Sequence, residues 1–555
     1  MESNKKTIKQ VILLIILSYF CFMFGNGLLS LTIPDEVFYT QTAKEMVQLH
    51  SWMTPYLFGQ PQFEKPILLY WFLRIAFMIF GLTSFAARFF PALLGMVGVV
   101  ATYLLGVCGF KNKKKAFISA VILMTSGLYI GLARTVFTDL IFSVFILLSL
   151  LSFYWGYSFR NRKSLGTLLF FVFSALAVLS KGPLGLAIPL LTIVTFLLIK
   201  KDIKFLFNQY FIWGLVLFSL VSFPWYSLMF KLYGNTFIRE FFYNDHFRRL
   251  IEAEHCSNDT WYFYPLSMVS CIFPWSVFLI ISLFSLPNYL KLKDNSFYLF
   301  LICLITVVFM VFQSAHSKLV SYIFPLFPAL GLLCGGFIID AIEQKEKNPQ
   351  VYWALSFSLL VIFLVPAALI IASVWFEYYL NPYIPGKLVT NLFIYIFLVF
   401  GLVILLLMLR RKLIKSIYCL ALFVPLMIYS IPLVRNSIEP YLSPKESSEY
   451  LLKNYKIDNA ILSSKFFVRG VKYYTDKEVA VIDMPGTPFF SPHPILFLNT
   501  RDKLLDFLRK QKVTYCILKK NSVKDIERFS PGEFKYTVLK VIGNEYILKI
   551  EILPK

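Results

Sequence analysis

Apolar runs recur along most of the chain, beginning near residues 11, 66, 86, 116, 137, 166, 184, 208, 265, 297, 318, 352, 389 and 414. Runs this long, without strand alternation, predict membrane helices, because a hydrocarbon core about 30 Å thick needs roughly 20 apolar residues in helical form. Residues 35–50 follow another pattern. Tyr39, Ala43, Met46, Val47 and His50 recur at helical spacing while Gln41, Lys44, Glu45 and Gln48 face elsewhere, which predicts an amphipathic helix at the membrane surface. From about Arg435 the apolar runs shorten and charge rises. Residues 444–455 and 500–510 read as helices, and 460–464, 479–483, 515–519 and 536–552 as strands. Residues 435–555 are therefore expected to form a small α/β domain, with an irregular, exposed proline-rich loop from Met484 to Pro494.

Basic clusters decide which runs cross. They fall at residues 5–9, 111–115, 160–163, 200–204, 291–293, 345–347 and 410–415, and the positive-inside rule assigns them to the cytoplasm. From Lys111 onward they occupy every second loop. Before Lys111 the alternation fails, since three crossings would put Lys5 and Lys111 on opposite sides. The run at 66–82 is the weakest: it is short, opens with Pro66 and carries Arg74 at its centre. An arginine at mid-membrane costs roughly 2.5 kcal/mol or more. The expectation is a helical polytopic membrane protein with about thirteen spans within residues 1–434 and an interfacial helix at 66–82. The amino terminus is then cytoplasmic, and the loops 32–65 and 230–263 and the carboxy-terminal domain lie outside.

Composition agrees. The 555 residues are 58% hydrophobic, with a mean hydropathy of +0.68, which excludes a soluble globular chain. The net charge of +23 sits in short inter-helix clusters, so nucleic acid is not an expected partner. Of eight cysteines, six lie in or beside apolar runs, and Cys256 and Cys516 are isolated. No disulfide framework is indicated.

The outer face then collects Asp35, Glu36, Glu64, Lys65, Arg134, Asp139, Lys181, the loop 230–263 and Lys318. Basic residues are disfavoured there, so their presence points to an anionic ligand at the membrane surface. A sugar linked through phosphate to a lipid fits: its phosphate leaves readily once its charge is neutralised, which Lys65, Arg249, Lys181 or Lys318 could do. A carboxylate such as Asp35 could orient the acceptor and take a hydroxyl proton. No glycine-rich phosphate loop follows a strand, so nucleotide binding has no basis. A transporter or flippase for the same lipid is the rival from another class. It would show mid-membrane charges and repeated halves, whereas these charges gather at one face.

Eight short motifs occur in order: Asp35-Glu36, Phe63-Glu64-Lys65-Pro66, Ala133-Arg134 with Asp139, Ser180-Lys181-Gly182-Pro183, Pro224-Trp225-Tyr226, Asp245-His246-Phe247 with Arg249, Phe273-Pro274-Trp275, and Ser317-Lys318-Leu319 with Tyr322 and Pro325. Together they resemble the bacterial aminoarabinose lipid A transferase branch of the protein O-mannosyltransferase-like superfamily, whose members are GT-C glycosyltransferases. The resemblance covers residues 11–340 well and the remainder loosely. It implies a multi-pass protein of the bacterial inner membrane with a periplasmic site. It also implies a polyprenyl-phosphate-linked sugar donor and an acceptor that is lipid A or another glycolipid, with protein O-mannosylation as the alternative. By position it implies Asp35 and Asp139 as catalytic carboxylates and Lys65, Arg249 and Tyr322 as ligands of the lipid phosphate, to which the outer-face charges add Glu36 as a further catalytic candidate and Lys181 and Lys318 as further phosphate ligands. Glu64 matches a position that in some relatives binds a divalent metal together with a histidine. Here Asn244 stands at that histidine's position, beside Asp245 and His246. Glu64 and His246 are thus the candidate metal ligands, an incomplete set for zinc.

Overall fold

The computed structural model describes the chain apart from residues 1, 255, 292–294, 344–348, 376–385, 485, 487–488, 490–493, 530–531 and 554–555. The basic positions Lys293, Lys345 and Lys347, and most of the proline-rich loop after Met484, lie outside the described residues. The first ten helices are α1 (Glu2–Ser18), α2 (Asp35–Gln48), α3 (Leu68–Phe80), α4 (Ser84–Phe110), α5 (Lys113–Thr125), α6 (Gly127–Ala133), α7 (Thr138–Ser158), α8 (Lys163–Lys181), α9 (Leu184–Ile199) and α10 (Gln209–Phe237).

Among the described residues, ten helices are long and apolar enough to cross a membrane, or up to twelve if each of two bent pairs is one span. The pairs are α5 with α6, bent by 65°, and Phe263–Cys271 with Ser276–Leu290, bent by 118°. The thirteen expected spans include α9, which has only 16 residues, about 24 Å at 1.5 Å per residue. Its ends nevertheless lie at opposite ends of the bundle. It follows Lys181, which pairs with Asp139 at the start of α7, and precedes Asp202, which pairs with Arg160 just past the end of α7. The clusters at residues 5–9 and 111–114 line one hollow, at the end where α4 stops and away from Asp35.

Helix α3 begins beside Lys65 and gives way to α4 only a few residues before Arg88, whose partner is Glu36. Both its ends therefore lie at the Asp35 end of the bundle. Arg74, buried on α3, donates to the carbonyls of Met46 and Ser51 beyond the C-terminal turn of α2 and stacks on Trp52 at 4.1 Å. The guanidinium thus ties α3 to the exit of α2, where the Met46 carbonyl also accepts from the Ser51 amide. Arg134 plays a similar part, donating to the carbonyls of Cys21 and Phe24 where α1 ends in a π-helical turn, Tyr19–Met23.

Helix α2 is not a surface helix. Gln41, Lys44 and Glu45 are buried along with the apolar face, because the carboxy-terminal domain and a hairpin of two short strands, β1 (Tyr56–Leu57) and β2 (Gln60–Pro61), cover the side that the sequence pattern assigns to water. Lys44 Nζ donates to the Tyr473 carbonyl at 2.9 Å and pairs with Asp476 at 2.7 Å, and Glu45 accepts from the amides of Phe58 and Gly59. The covering domain holds a six-stranded sheet in the order β5-β4-β3-β6-β8-β7. The strands are β3 (Ile461–Ser464), β4 (Val479–Ile482), β5 (Leu496–Leu498), β6 (Val513–Lys519), β7 (Phe534–Ile542) and β8 (Glu545–Ile552). Strands β3 to β6 pair in parallel, while β8 runs antiparallel to both β6 and β7. The single strand expected at 536–552 is a hairpin, turned at Gly543, where φ is +58. Strand β5 and the helices Val468–Thr475 and Lys520–Phe529 are elements the sequence pattern did not reveal.

One buried ion pair ties these parts together. Glu36 is 0% exposed, and its two oxygens accept from Arg88 Nε at 2.8 Å and Nη2 at 2.6 Å. They also accept from the Thr32 amide and hydroxyl and from the Val136 amide. Arg88 donates its remaining hydrogens to the carbonyls of Asn26, Leu29 and Ser30. Burial by itself would push the Glu36 carboxyl up, but the Arg88 guanidinium and the Thr32 bonds hold it below the ordinary range. A depressed carboxylate contributes stability above its unfolded pKa of about 4.3, and that stability is lost as pH falls through the folded value. Glu36→Gln is therefore expected to lower unfolding stability in detergent by roughly 3 kcal/mol at neutral pH. The gap to the unmodified protein should close below about pH 4. An unchanged thermal midpoint at neutral pH would show that the pair is not holding the loop.

Candidate active site

A cavity of about 1000 Å³ opens where the start of α2, the 62–66 loop, the start of α7, the end of α8, the segment after α10, residues 319–322 and the carboxy-terminal domain meet. Its position follows from the elements just described. Asp35 opens α2, directly after the loop that Arg88 clamps. Asp139 is in the first turn of α7, three residues after Val136, whose amide bonds Glu36. Lys181 ends α8, where a cation also suits the helix dipole. Gly182 follows with φ +115, and a Cβ there would lie 2.4 Å from His246 Nε2, so only glycine lets the chain turn so close to that ring.

Beyond α10 the chain winds as a π-helix, Ile238–Phe247, and then a short α-helical turn, Arg248–Ile251. This places Asp245 between two cations. Its Oδ2 lies 2.6 Å from Lys65 Nζ and its Oδ1 lies 3.0 Å from Arg249 Nε. Arg249 Nη1 also reaches Glu254 at 2.6 Å and the Tyr322 hydroxyl at 3.0 Å. Lys181 pairs with Asp139 and sits 4.3 Å from the Tyr322 ring centre. Lys65, Arg249, Tyr322 and Lys181 thus converge on one wall, with Asp35, Asp139 and Glu64 on the same lining.

The lining includes six basic side chains, Lys65, Lys181, Arg248, Arg249, Lys465 and Arg469, and four carboxylates, Asp35, Glu64, Asp139 and Glu254. Glu64 is the electrostatic exception. Loss of water pushes its carboxyl above the ordinary range, and the nearby Arg469 and Lys65 only partly oppose this. A carboxyl raised in this way holds its negative charge less readily, which moves the lining toward positive charge and suits an anion.

Three of the expected site residues lie elsewhere. Glu36 is sealed under the loop by Arg88 and does not line the cavity. Successive helical residues are turned by about 100°, so when Asp35 faces the cavity its neighbour faces the protein. Lys318 is buried and paired with Asp259 at 2.6 Å, an aspartate that Lys318 and His316 together hold below its ordinary range. The reason is local: Leu319 is extended (φ −127, ψ 145), which separates Lys318 from the Ser321–Tyr322 face. His246 lies behind Gly182. Its Nδ1 is 2.7 Å from the Phe241 carbonyl and its Nε2 is 3.3 Å from the Lys181 carbonyl. Both ring nitrogens are engaged by backbone, and among the described residues no three His, Cys, Asp or Glu side chains gather as a metal site. The donor set does not fit a metal held by Glu64 and His246.

Nothing in the hydrophobic pattern or the motifs marked the opposite wall. Lys465, Phe466, Arg469 and Phe489 come from the carboxy-terminal domain, with the Arg469 guanidinium 4.7 Å from the Phe38 ring centre and 5.3 Å from that of Phe489. Asp245 and Glu254 were also missed as the carboxylates that orient Arg249.

Residues 7–237 match the family model described as dolichyl-phosphate-mannose-protein mannosyltransferase. A protein of Aquifex aeolicus without an assigned function is 31% identical over 64% of this chain and 78% of its own length. An undecaprenyl phosphate-alpha-4-amino-4-deoxy-L-arabinose arabinosyl transferase of Proteus mirabilis is 27% identical over 63% of each chain. The chain spans between 56% and 66% of the length of the first few curated relatives it matches. Among solved structures, ArnT from Cupriavidus metallidurans bound to undecaprenyl phosphate superposes with a TM-score of 0.77 at 17% identity, covering 97% of both chains. Its apo form gives 0.75.

The raised Glu64 carboxyl makes a spectroscopic prediction. The Glu64 component of the protonated-carboxyl infrared band should persist above about pH 4.3, the free glutamate value, and Glu64→Gln should remove that component while leaving the one from buried Glu545, which burial pushes up to about 8. A band unchanged in that variant would place the proton on another group.

Proposed function

This chain belongs to the protein O-mannosyltransferase-like superfamily of GT-C membrane glycosyltransferases and is similar to its aminoarabinose-transferase branch, and on that premise we propose that it transfers a sugar from a polyprenyl-phosphate donor to an acceptor glycolipid such as lipid A. The observation that carries the proposal is the convergence of Lys65, Arg249, Tyr322 and Lys181 on one wall of a cavity that Asp35 also lines. The named relatives support the same class of donor, since the Proteus protein is called an undecaprenyl phosphate–aminoarabinose transferase and the Cupriavidus structure holds undecaprenyl phosphate. With the basic clusters in the cytoplasm, the cavity and the carboxy-terminal domain face the periplasm.

In this reading the donor phosphate lies against Lys65 and Arg249. Asp245 already holds both cations at fixed positions, so little reorganisation accompanies the build-up of negative charge as the bond from the sugar to the phosphate breaks. The Tyr322 hydroxyl, which already accepts from Arg249, can donate its own hydrogen to a phosphate oxygen. The acceptor oxygen forms the new bond at the sugar carbon. Asp35 orients it, and takes its proton when the acceptor is a hydroxyl. Asp139 holds the Lys181 ammonium at the cavity wall, which gives it a positioning role.

The roles separate by measurement. Lys65→Ala and Arg249→Ala should each weaken donor binding by about 1.5–3 kcal/mol, the worth of a hydrogen bond to a charged group. Asp35→Asn should leave donor affinity nearly intact while turnover falls by roughly 10²–10⁴-fold, the range of a general base. Unchanged donor affinity in both cation variants would remove the phosphate assignment, and near-normal turnover in Asp35→Asn would reduce Asp35 to a helix-end residue.

A further inference from the structure

At the end of the bundle away from the cavity, Lys5, Lys6 and Lys9 of α1 and Lys111, Lys113 and Lys114 of the α4–α5 turn line a hollow of about 950 Å³. Glu343 is the one carboxylate among the described residues lining it, and Lys114 already engages it at 2.8 Å. Orientation in the membrane asks only that lysines lie in the loops on one side. It does not ask that six of them, from segments about a hundred positions apart, converge on one space where like charges repel.

The hollow is also held in shape. Tyr103, fully buried on α4, donates to Gln10 at 2.8 Å, and Leu14 of α1 is fully buried, so α1 is fixed against α4 next to Lys9. Asn112 caps α5 by accepting from the amides of Lys114 and Lys115 at 2.9 and 3.3 Å. Lys111 closes α4 in the left-handed conformation at φ 54. From the lysines, an outward strip of α1 continues along the helix as Ile8, Ile12, Ile15 and Ile16, each more than two-fifths exposed. A cationic hollow at the end of membrane helices, with an apolar strip leading from it, matches a phosphate headgroup with acyl chains attached better than a soluble phosphate.

We propose that this hollow binds the headgroup of an anionic phospholipid from the leaflet at that end, a site separate from the cavity that faces Asp35. The test uses the full-length protein in detergent, with binding followed by native mass spectrometry. The probes are cardiolipin, phosphatidylglycerol, phosphatidylethanolamine and inorganic pyrophosphate. The two anionic lipids should be retained over phosphatidylethanolamine, with an affinity that falls as salt rises. Each lysine near a membrane surface contributes about fivefold to anionic lipid binding, so the triple variant Lys6→Gln, Lys9→Gln and Lys113→Gln should lose about a hundredfold. The matching triple replacement by arginine should keep it. The control Lys201→Gln with Lys204→Gln removes charge beside the end of α9, outside the hollow, and should cost clearly less affinity per lysine than the triple variant. Equal retention of phosphatidylethanolamine, equal loss in the control, or pyrophosphate bound in preference to lipid would each overturn the proposal. Should the glutamine triple not fold, the arginine triple and the salt dependence still decide it: loss of lipid in the former, or no effect of salt, refutes the site.

Discussion

The Glu36–Arg88 pair is the interaction on which the rest of the site depends. Two charges taken fully out of water are unfavourable unless every remaining hydrogen and lone pair finds a partner. Here they do, and the partners are all backbone or short side chains of segments that would otherwise be loose. Arg88 gathers the carbonyls of Asn26, Leu29 and Ser30, and Glu36 gathers Thr32 and Val136. The pair therefore fixes the entry of α2 and the approach to α7 with one set of bonds. Asp35 and Asp139 stand one and three residues from the atoms it holds. A catalytic carboxylate on a loop leaving the membrane would otherwise wander by more than a reacting geometry tolerates.

The cavity itself is built on paired charges. Asp245 sits between Lys65 and Arg249, Asp139 holds Lys181, and Glu254 steadies Arg249. Such pairs contribute little to stability, but they hold like-charged side chains close together that would otherwise repel, which under the proposed function keeps the cations where a phosphate would develop charge. The carboxy-terminal domain completes the enclosure, anchored to the membrane part through Lys44 to Asp476 and through the Ile33 amide to the Leu442 carbonyl. In the family to which the chain belongs, this architecture suits a donor that arrives within the lipid and needs no nucleotide pocket.

How far the sequence revealed this depended on whether a residue's neighbours in the chain are also its neighbours in space. Asp35, Lys65, Asp139, Lys181, Arg249 and Tyr322 each sit where a helix meets a loop, inside short motifs, and the structure brings them to one lining. Glu36 looked equivalent to Asp35 because adjacency in sequence hides the turn of the helix between them. Its partner Arg88 lies inside an apolar run with nothing around it to mark a function. Lys318 looked equivalent to Tyr322, four residues on, but the extended Leu319 breaks the helical register. Arg469 and Lys465 lie more than 400 residues from Asp35, and no periodicity reports a contact across that distance. The amphipathic pattern of α2 was real, yet it could not show that the polar face meets protein instead of water.

The central claim is that the chain moves a sugar from one lipid phosphate to an acceptor at the membrane surface. Its most direct test is a reconstitution of the purified protein in vesicles with a polyprenyl-phosphate-linked aminosugar and lipid A, with both products counted by mass spectrometry. Free polyprenyl phosphate and glycosylated acceptor should appear one for one, with no nucleotide added. Donor that crosses the bilayer with its sugar still attached, while the acceptor stays unmodified, would contradict the claim.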